Sequence, residues 1–185
     1  MKENYFIIHG SFGSPYSNWF PWLAEFLLKE GKAVYVPDFP VGVNLQNYSN
    51  WNQLLEYYWK LGLIHEHTTI IAHSIGPVFV CKFLVEHQQK IKKLISVCGF
   101  NNYFGINEEY DTVNKTMYFQ NLKEVKDYCK EIVCFYTEND PYVTYEASYE
   151  FACTISSLKV NLPDAGHINS ESGYNSFLEI VNYLD

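Results

Sequence analysis

The stretch Ile70-Ile71-Ala72-His73-Ser74-Ile75-Gly76-Pro77-Val78 joins one apolar run to a second apolar run through a single serine. The first run predicts a buried β-strand and the second predicts a helix, so Ser74 falls on the turn between them. A turn this tight requires small side chains two positions before and two positions after the serine. Ala72 and Gly76 meet that requirement. The pattern predicts that Ser74 is presented at the end of a strand, as a nucleophile would be.

On either side of this stretch, short apolar runs alternate with longer segments of helical periodicity, which is typical of βαβ units and a parallel sheet. The segment 100–121 has no clear prediction and is the one candidate lid. Gly31 is placed to end the first helix. The predicted strands are Tyr5–His9, Ala33–Pro37, Thr69–His73, Lys93–Cys98, Glu131–Thr137 and Leu158–Leu162. The predicted helices are Trp19–Glu30, Asn50–Leu61, Ile75–His87, Leu122–Cys129, Tyr145–Ser156 and Tyr174–Leu184.

The turn at Ser74 resembles the nucleophile elbow, G-x-S-x-G, of α/β-hydrolases, with Ala72 in place of the first glycine. The resemblance implies an α/β-hydrolase fold with a six-stranded, mainly parallel sheet, helices on both faces and no large cap. We expect one such domain over residues 1–185. It also implies that a carboxylate and then a histidine follow the serine, on loops after later strands.

Two downstream loops carry these residue types. Asp140 follows the fifth predicted strand, and Pro141 restricts the chain directly after it. Glu138 is the alternative acid, and a turn or helix-capping role for Asp140 stays open. His167 follows the sixth strand and is the only histidine beyond position 87. Because imidazole suits proton transfer near neutral pH, we predict Ser74 as nucleophile, His167 as base and Asp140 as the carboxylate that orients the base.

An oxyanion formed at this serine would need two preorganised N–H donors. Ile75, directly after the nucleophile, supplies the first. The second is expected from the glycine-rich loop after the first strand, where the N–H of Phe12 is preferred and that of Ser11 is the alternative. A phosphate-binding turn is the rival interpretation of Gly10 to Gly13. It lacks the third glycine of G-x-G-x-x-G and the Gly-Lys-Ser/Thr of a P-loop.

The composition argues against several classes of function. A net charge of −8, from 13 Lys and Arg against 21 Asp and Glu, disfavours nucleic acid and anionic lipid as partners. No apolar stretch is long enough for a signal peptide or a membrane span, so we expect a cytoplasmic protein. The five cysteines lack a C-x-x-C pair and are expected to be reduced core thiols. His9 and His73 are expected to pack in the interior. His65, Glu66 and His67 are expected on a solvated loop without further ligand residues, so no metal is predicted. No cofactor is predicted either.

A second, more particular pattern covers nearly the whole chain: His9-Gly10, Asn18-Trp19-Phe20-Pro21-Trp22-Leu23, Pro37-Asp38-Phe39-Pro40, Asp140-Pro141-Tyr142-Val143 and Gly166-His167. With these stretches the chain resembles the small single-domain hydrolases related to retinoblastoma-binding protein 9 and the bacterial YdeN-like proteins. The resemblance implies a compact sheet, a Ser-Asp-His site and esterase-like activity. The Leu-x-Cys-x-Glu motif tied to retinoblastoma binding lacks its leucine here, where residues 127–131 read Asp-Tyr-Cys-Lys-Glu, so no protein partner is carried over.

The sequence therefore predicts a serine hydrolase that cleaves a carboxylic ester, or an amide, of a small-molecule acyl substrate through an acyl-serine intermediate. The alternative is a catalytically weak or idle binding module, since fold does not determine function. Dehalogenase-like chemistry would need a carboxylate where Ser74 stands. Aromatic residues expected in the surrounding loops suggest an apolar acyl group; they are Phe12, Tyr16, Phe100, Tyr103, Phe104 and Tyr142.

Overall fold

Six strands form the centre of the computed structural model, which describes residues 2–102 and 107–185. The order in the sheet is β2-β1-β3-β4-β5-β6, and the five pairings between neighbouring strands are all parallel. The strands are β1 (Asn4–Ile8), β2 (Ala33–Tyr35), β3 (Thr68–His73), β4 (Ile91–Val97), β5 (Cys129–Tyr136) and β6 (Leu158–Asn161). Six strands were predicted, and all six are present.

Helices cover both faces of the sheet. In β1, Phe6 and Ile8 pack against residues of α2 and α3, whereas Tyr5 and Ile7 pack on the opposite face against α1 and the C-terminal segment. This alternation follows from the two-residue period of a strand that is buried on both sides. The helices are α1 (Phe20–Lys29), α2 (Tyr48–Lys60), α3 (Gly76–Glu86), α4 (Glu108–Asn114) and α5 (Tyr145–Ile155).

The strand order reverses beside β1. The chain leaves β1 for β2 on one side and then returns to place β3 on the other, so β1 and β3 are neighbours. In open parallel sheets the crevice at such a reversal, beyond the carboxyl ends of the strands, is where ligands bind. The loops that follow β1, β3, β5 and β6 therefore surround one candidate site.

Two segments predicted as α-helices are shorter than expected and form 3₁₀-helices instead. The segment predicted as Leu122–Cys129 is a 3₁₀-helix, Leu122–Asp127, because β5 already begins at Cys129. The segment predicted as Tyr174–Leu184 forms only a 3₁₀-helix, Leu178–Tyr183. Its buried residues Phe177, Ile180 and Leu184 recur every three or four positions, a spacing that a 3₁₀ turn satisfies as well as an α-helix does.

The sequence interpretation missed α4, which lies within the segment left without a prediction. The side chain of Asn107 accepts hydrogen bonds from the N–H groups of Glu109 and Tyr110 and so begins the helix. Acidic residues in the first turn then interact favourably with the helix dipole. An Asn followed by acidic residues is a recognisable helix start that could have predicted α4.

The end of the first helix and the state of the cysteines agree with the sequence predictions at all but one residue. Gly31 does end α1, with a left-handed φ of 74°. The five cysteines carry free thiols; four of them are buried as expected, but Cys153 is exposed. Among the described residues, no helix has the length and apolarity that a membrane span requires.

Candidate active site

The turn between β3 and α3 holds Ser74 in a strained conformation. Its φ is 61°, in the left-handed region that residues other than glycine rarely adopt. The N–H of Ser74 donates to the carbonyl oxygen of Val97 at 2.9 Å, which ties the turn to β4. Strain maintained by surrounding structure is common where a side chain must be presented to a ligand.

The small residues around the serine have identifiable neighbours. A Cβ added to Gly76 would lie 3.1 Å from the carbonyl oxygen of His9 and 3.4 Å from the Cβ of Ala72. The backbone of His9 therefore restricts position 76 to glycine more than Ala72 does, whose methyl group would only be in contact. A Cβ on Gly10 would lie 2.6 Å from the Cβ of Ser74, so the loop after β1 touches the serine directly.

The loops after β5 and β6 bring Asp140 and His167 together. Nδ1 of His167 donates to Oδ2 of Asp140 at 2.6 Å, and both side chains are almost completely buried. The other carboxylate oxygen, Oδ1, accepts the N–H groups of Tyr142 at 2.8 Å and Val143 at 3.1 Å. The turn role considered for Asp140 and its contact with His167 therefore coexist. Glu138 is exposed and its Oε1 accepts instead from Asn161 at 2.7 Å.

His73 holds the backbone of His167 from the other side. Its Nε2 donates to the carbonyl oxygen of His167 at 2.8 Å, and the ring centroids are 4.7 Å apart. Burial lowers the pKa of His73 to about 3, so the ring is neutral. The indole N–H of Trp19 also donates to the carbonyl oxygen of Ile168 at 2.9 Å. His73 was expected only to pack. Its place in a strand of otherwise apolar residues could have predicted the hydrogen bond, because buried polar side chains nearly always have a partner.

The lowered pKa of His73 predicts a loss of stability in acid. Between the ordinary pKa near 6.5 and the folded value of about 3, the unfolded chain binds a proton that the folded protein does not. The free energy of unfolding therefore falls as pH falls through this window, by up to about 1.4 kcal/mol per pH unit. In His73→Gln the amide can still donate to the carbonyl of His167, but it does not titrate.

Urea denaturation of both proteins at a series of pH values tests this. From about pH 6.5 to about pH 5, the free energy of unfolding should fall by about 1.6 kcal/mol less in His73→Gln than in the wild type. Parallel pH dependences in the two proteins would contradict a neutral, buried His73.

The glycine-rich loop after β1 contains both N–H groups considered as the second oxyanion donor. The N–H of Phe12, which was preferred, donates to Oε1 of Gln46 at 3.0 Å and is therefore occupied. The carbonyl of Gly10 accepts from Nδ1 of His9 at 2.8 Å and from the N–H of Gly13 at 3.1 Å. In a trans peptide the N–H points opposite to the C=O, so these bonds direct the N–H of Ser11 away from His9.

A cavity of about 410 Å³ lies over this loop and the turn at Ser74. Ser74 and His167 both line it, although no hydrogen bond joins their side chains among the described residues. Its remaining wall includes α4, through Tyr110, Asp111 and Asn114. Three of the aromatic residues expected near the site line the cavity: Phe12, Phe100 and Tyr142. Tyr16 is exposed and does not line it. Tyr103 and Phe104 lie outside the described residues.

Three potential metal-ligand atoms, from Cys98, Asp140 and His167, lie within 4.8 Å of one another. This donor set does not fit a metal ion as it stands, because Nδ1 of His167 is already bonded to Asp140. Burial and the nearby Asp140 charge raise the pKa of the Cys98 thiol well above its ordinary value, which disfavours the thiolate that a metal needs. The absence of a metal or other cofactor stays a prediction.

Comparison with known proteins agrees with this architecture. The chain is 26% identical over 187 residues to the YdeN hydrolase of Bacillus subtilis (strain 168), covering 100% of this chain and 95% of that protein. The crystal structure of the ydeN gene product from B. subtilis matches with a TM-score of 0.87 at 26% identity, over 99% of this chain and 97% of that one. Est1E from Butyrivibrio proteoclasticus matches with a TM-score of 0.71 at 18% identity, over 98% and 84% of the two chains, which supports the fold alone.

These similarities confirm the predicted α/β-hydrolase fold and the resemblance to YdeN-like hydrolases. The family model described as serine hydrolase matches residues 5–185, a range that includes every strand from β2 to β6 and all three predicted site residues. On this match the chain is an esterase-like hydrolase that belongs to the serine hydrolase family.

Proposed function

We propose that this hydrolase cleaves carboxylic esters of small acyl groups through a covalent acyl-Ser74 intermediate. The observation that carries the proposal is the 2.6 Å hydrogen bond between Asp140 and His167, a histidine that lines the same cavity as Ser74. A serine hydroxyl is a weak nucleophile unless a base accepts its proton, and that base must be held in one tautomer. The carboxylate of Asp140 is an acceptor, so it holds the proton on Nδ1 and leaves the Nε2 lone pair of His167 available.

In the first step, Nε2 of His167 accepts the hydroxyl proton while Oγ of Ser74 bonds to the substrate carbonyl carbon. The bond to the alkoxy leaving group then breaks, and the protonated His167 returns the proton to the departing alcohol. Water repeats the sequence on the acyl-serine and releases the carboxylic acid. His167 returns each proton that it accepts, so these steps need no cofactor.

The oxyanion formed in each step needs donors beside Ser74. We assign these to the backbone N–H groups of Ser11 and Ile75. The Ile75 N–H lies at the N-terminal end of α3, where backbone donors lack intrahelical acceptors and the helix dipole favours negative charge. The direction of the Gly10–Ser11 peptide and its contact with Ser74 support Ser11 in place of Phe12.

Labelling with a fluorophosphonate tests the proposal. We expect one stoichiometric adduct that peptide mapping places on Ser74, because only a base-activated serine reacts readily. The labelled protein should lose hydrolysis of acetyl and butyryl esters, whose acyl groups fit within the cavity of about 410 Å³. An unlabelled protein would favour the idle binding module, and an adduct on another serine would contradict the assignment of the nucleophile. Parallel assays with matched anilides distinguish esters from amides as substrates.

A further inference from the structure

A buried pair of amide side chains links the turn after β1 to the helix that covers the cavity. Gln46, just before α2, and Asn114, at the end of α4, are only 2% and 3% exposed. Nε2 of Gln46 donates to Oδ1 of Asn114 at 3.0 Å, and the hydroxyl of Ser11 donates to the same oxygen at 2.6 Å. Oε1 of Gln46 accepts the N–H of Phe12 at 3.0 Å. Three segments that are distant in the chain therefore meet at these two amides.

Each group in this network has only one suitable orientation. The backbone N–H of Phe12 can only donate, so Gln46 must present its oxygen to it and its NH₂ group to Asn114. Asn114 must then present Oδ1, which leaves Ser11 to act as a donor. Reversing the amide of Gln46 would place two donors against each other in a buried site, and satisfied buried networks of this kind specify one local structure.

The turn that the network contacts needs external restraint. Phe12 has a φ of 54°, a left-handed conformation that is unfavourable for a bulky side chain. Such conformations persist where neighbouring groups over-determine them. His9 and Gly13 restrain the turn through the carbonyl of Gly10. The bond from Phe12 to Gln46 holds the backbone of the strained residue itself, and the Phe12 ring also contacts that of Tyr110 edge-on, with centroids 5.1 Å apart.

The position of this turn matters because it touches the nucleophile. A Cβ on Gly10 would lie 2.6 Å from the Cβ of Ser74 and 3.2 Å from its Oγ. Stabilisation of an oxyanion depends on donors held about 2.7–3.1 Å from the developing charge before the reaction begins. A relaxed turn would move the Ser11 N–H out of that range without disturbing the His167–Asp140 pair.

We propose that Gln46 and Asn114 are positioning residues that hold the turn after β1 and thereby set the oxyanion donor at Ser11. The inference rests on the proposed function, because the donor is useful only to an acyl-transfer reaction. Since Asn114 belongs to α4, docking of this helix over the cavity and assembly of the oxyanion site are coupled.

Gln46→Met tests the role of the network, because it keeps the side-chain volume and removes both hydrogen bonds. We expect kcat for an acetyl ester to fall by about ten- to a hundredfold while KM changes by less than about threefold, since an oxyanion donor acts in the transition state. Affinity for an arylboronic acid, which forms a tetrahedral adduct at serine, should fall by a similar factor. The pH midpoint of kcat/KM should not move, and hydrogen exchange of the Phe12 amide should become faster.

Gln89→Met is the matched control. It removes an amide oxygen that accepts from the indole N–H of Trp59 at 2.7 Å, away from the cavity, and should leave kcat unchanged. Asn114→Ala is the second variant, and it should change kcat and Phe12 exchange in the same direction as Gln46→Met. If one of the two variants does not fold, the other decides the result.

The outcomes separate the two proposals. A wild type that hydrolyses the ester, together with a folded Gln46→Met or Asn114→Ala that keeps wild-type kcat and boronic acid affinity, would overturn the positioning role alone. A wild type that neither hydrolyses esters nor reacts with the fluorophosphonate would overturn the proposed function and this role with it. A shifted pH midpoint in Gln46→Met would show that the network acts on His167 instead, which also overturns the inference.

Discussion

Asp140→Asn is expected to lower kcat for ester hydrolysis by about 10⁴-fold while the protein stays folded. The two N–H groups of Tyr142 and Val143 require an acceptor, so the asparagine oxygen will face them and its NH₂ group will face His167. Nδ1 of His167 must then accept, which places its proton on Nε2. In this tautomer the imidazole cannot accept the proton of Ser74. Steady-state kinetics and near-UV circular dichroism together measure the effect and the integrity of the fold.

Glu138→Gln is the matched control on the same loop. Glu138 is exposed, and its contact with Asn161 can be reproduced by an amide oxygen. The kcat of Glu138→Gln should stay within about threefold of the wild-type value, since surface substitutions away from a site have small effects. A large loss in Glu138→Gln together with wild-type kcat in Asp140→Asn would mean that the acid has been assigned to the wrong residue.

Lys93→Met is expected to lower the free energy of unfolding by about 3 kcal/mol. Lys93 is 2% exposed, and its ammonium group donates to the backbone carbonyls of Tyr183 at 2.9 Å and of Asp185. It also pairs with Glu131, its neighbour across β4 and β5, at 3.1 Å. Removal of the ammonium leaves these acceptors without their donor. Urea denaturation monitored by tryptophan fluorescence measures the loss.

The adjacent residue provides the control. Lys92 pairs at 2.7 Å with Glu3, and both side chains are partly exposed. Exposed pairs contribute little, so Lys92→Met should cost less than about 1 kcal/mol. Equal losses in the two variants would show that the buried contacts of Lys93 with the C-terminal segment are not what stabilises the protein.

Much of the architecture could be predicted because it depends on local periodicity. The runs around Ile7, Ile71 and Val133 are apolar enough to predict buried strands, and each is found in the sheet. The order Ser74, Asp140, His167 follows from which loops succeed which strands, and parallel strands bring those loops to one edge. The two 3₁₀ segments were predicted as α-helices because an apolar spacing of three or four residues is common to both.

The stretches that carry the family resemblance could be recognised in the sequence. Which residues they contact is visible only in the folded chain. Trp19 donates to the carbonyl of Ile168 across 149 positions, and Trp51 donates to that of Pro40. Phe39 donates its N–H to Nε2 of His9, which fixes the tautomer that holds Gly10. These contacts bring the characteristic stretches to the loops of the candidate site.

The sequence by itself determined the class of fold, the strand that carries Ser74 and the loops that carry Asp140 and His167. These features depend on hydrophobic period and turn chemistry, which are local properties. Only the tertiary structure decided which of two neighbouring N–H groups is occupied, which of two acids meets the histidine, and that Gln46 reaches Phe12. Such choices depend on hydrogen-bond direction between residues far apart in the chain, and the direction of a donor is set only when both partners are packed in place.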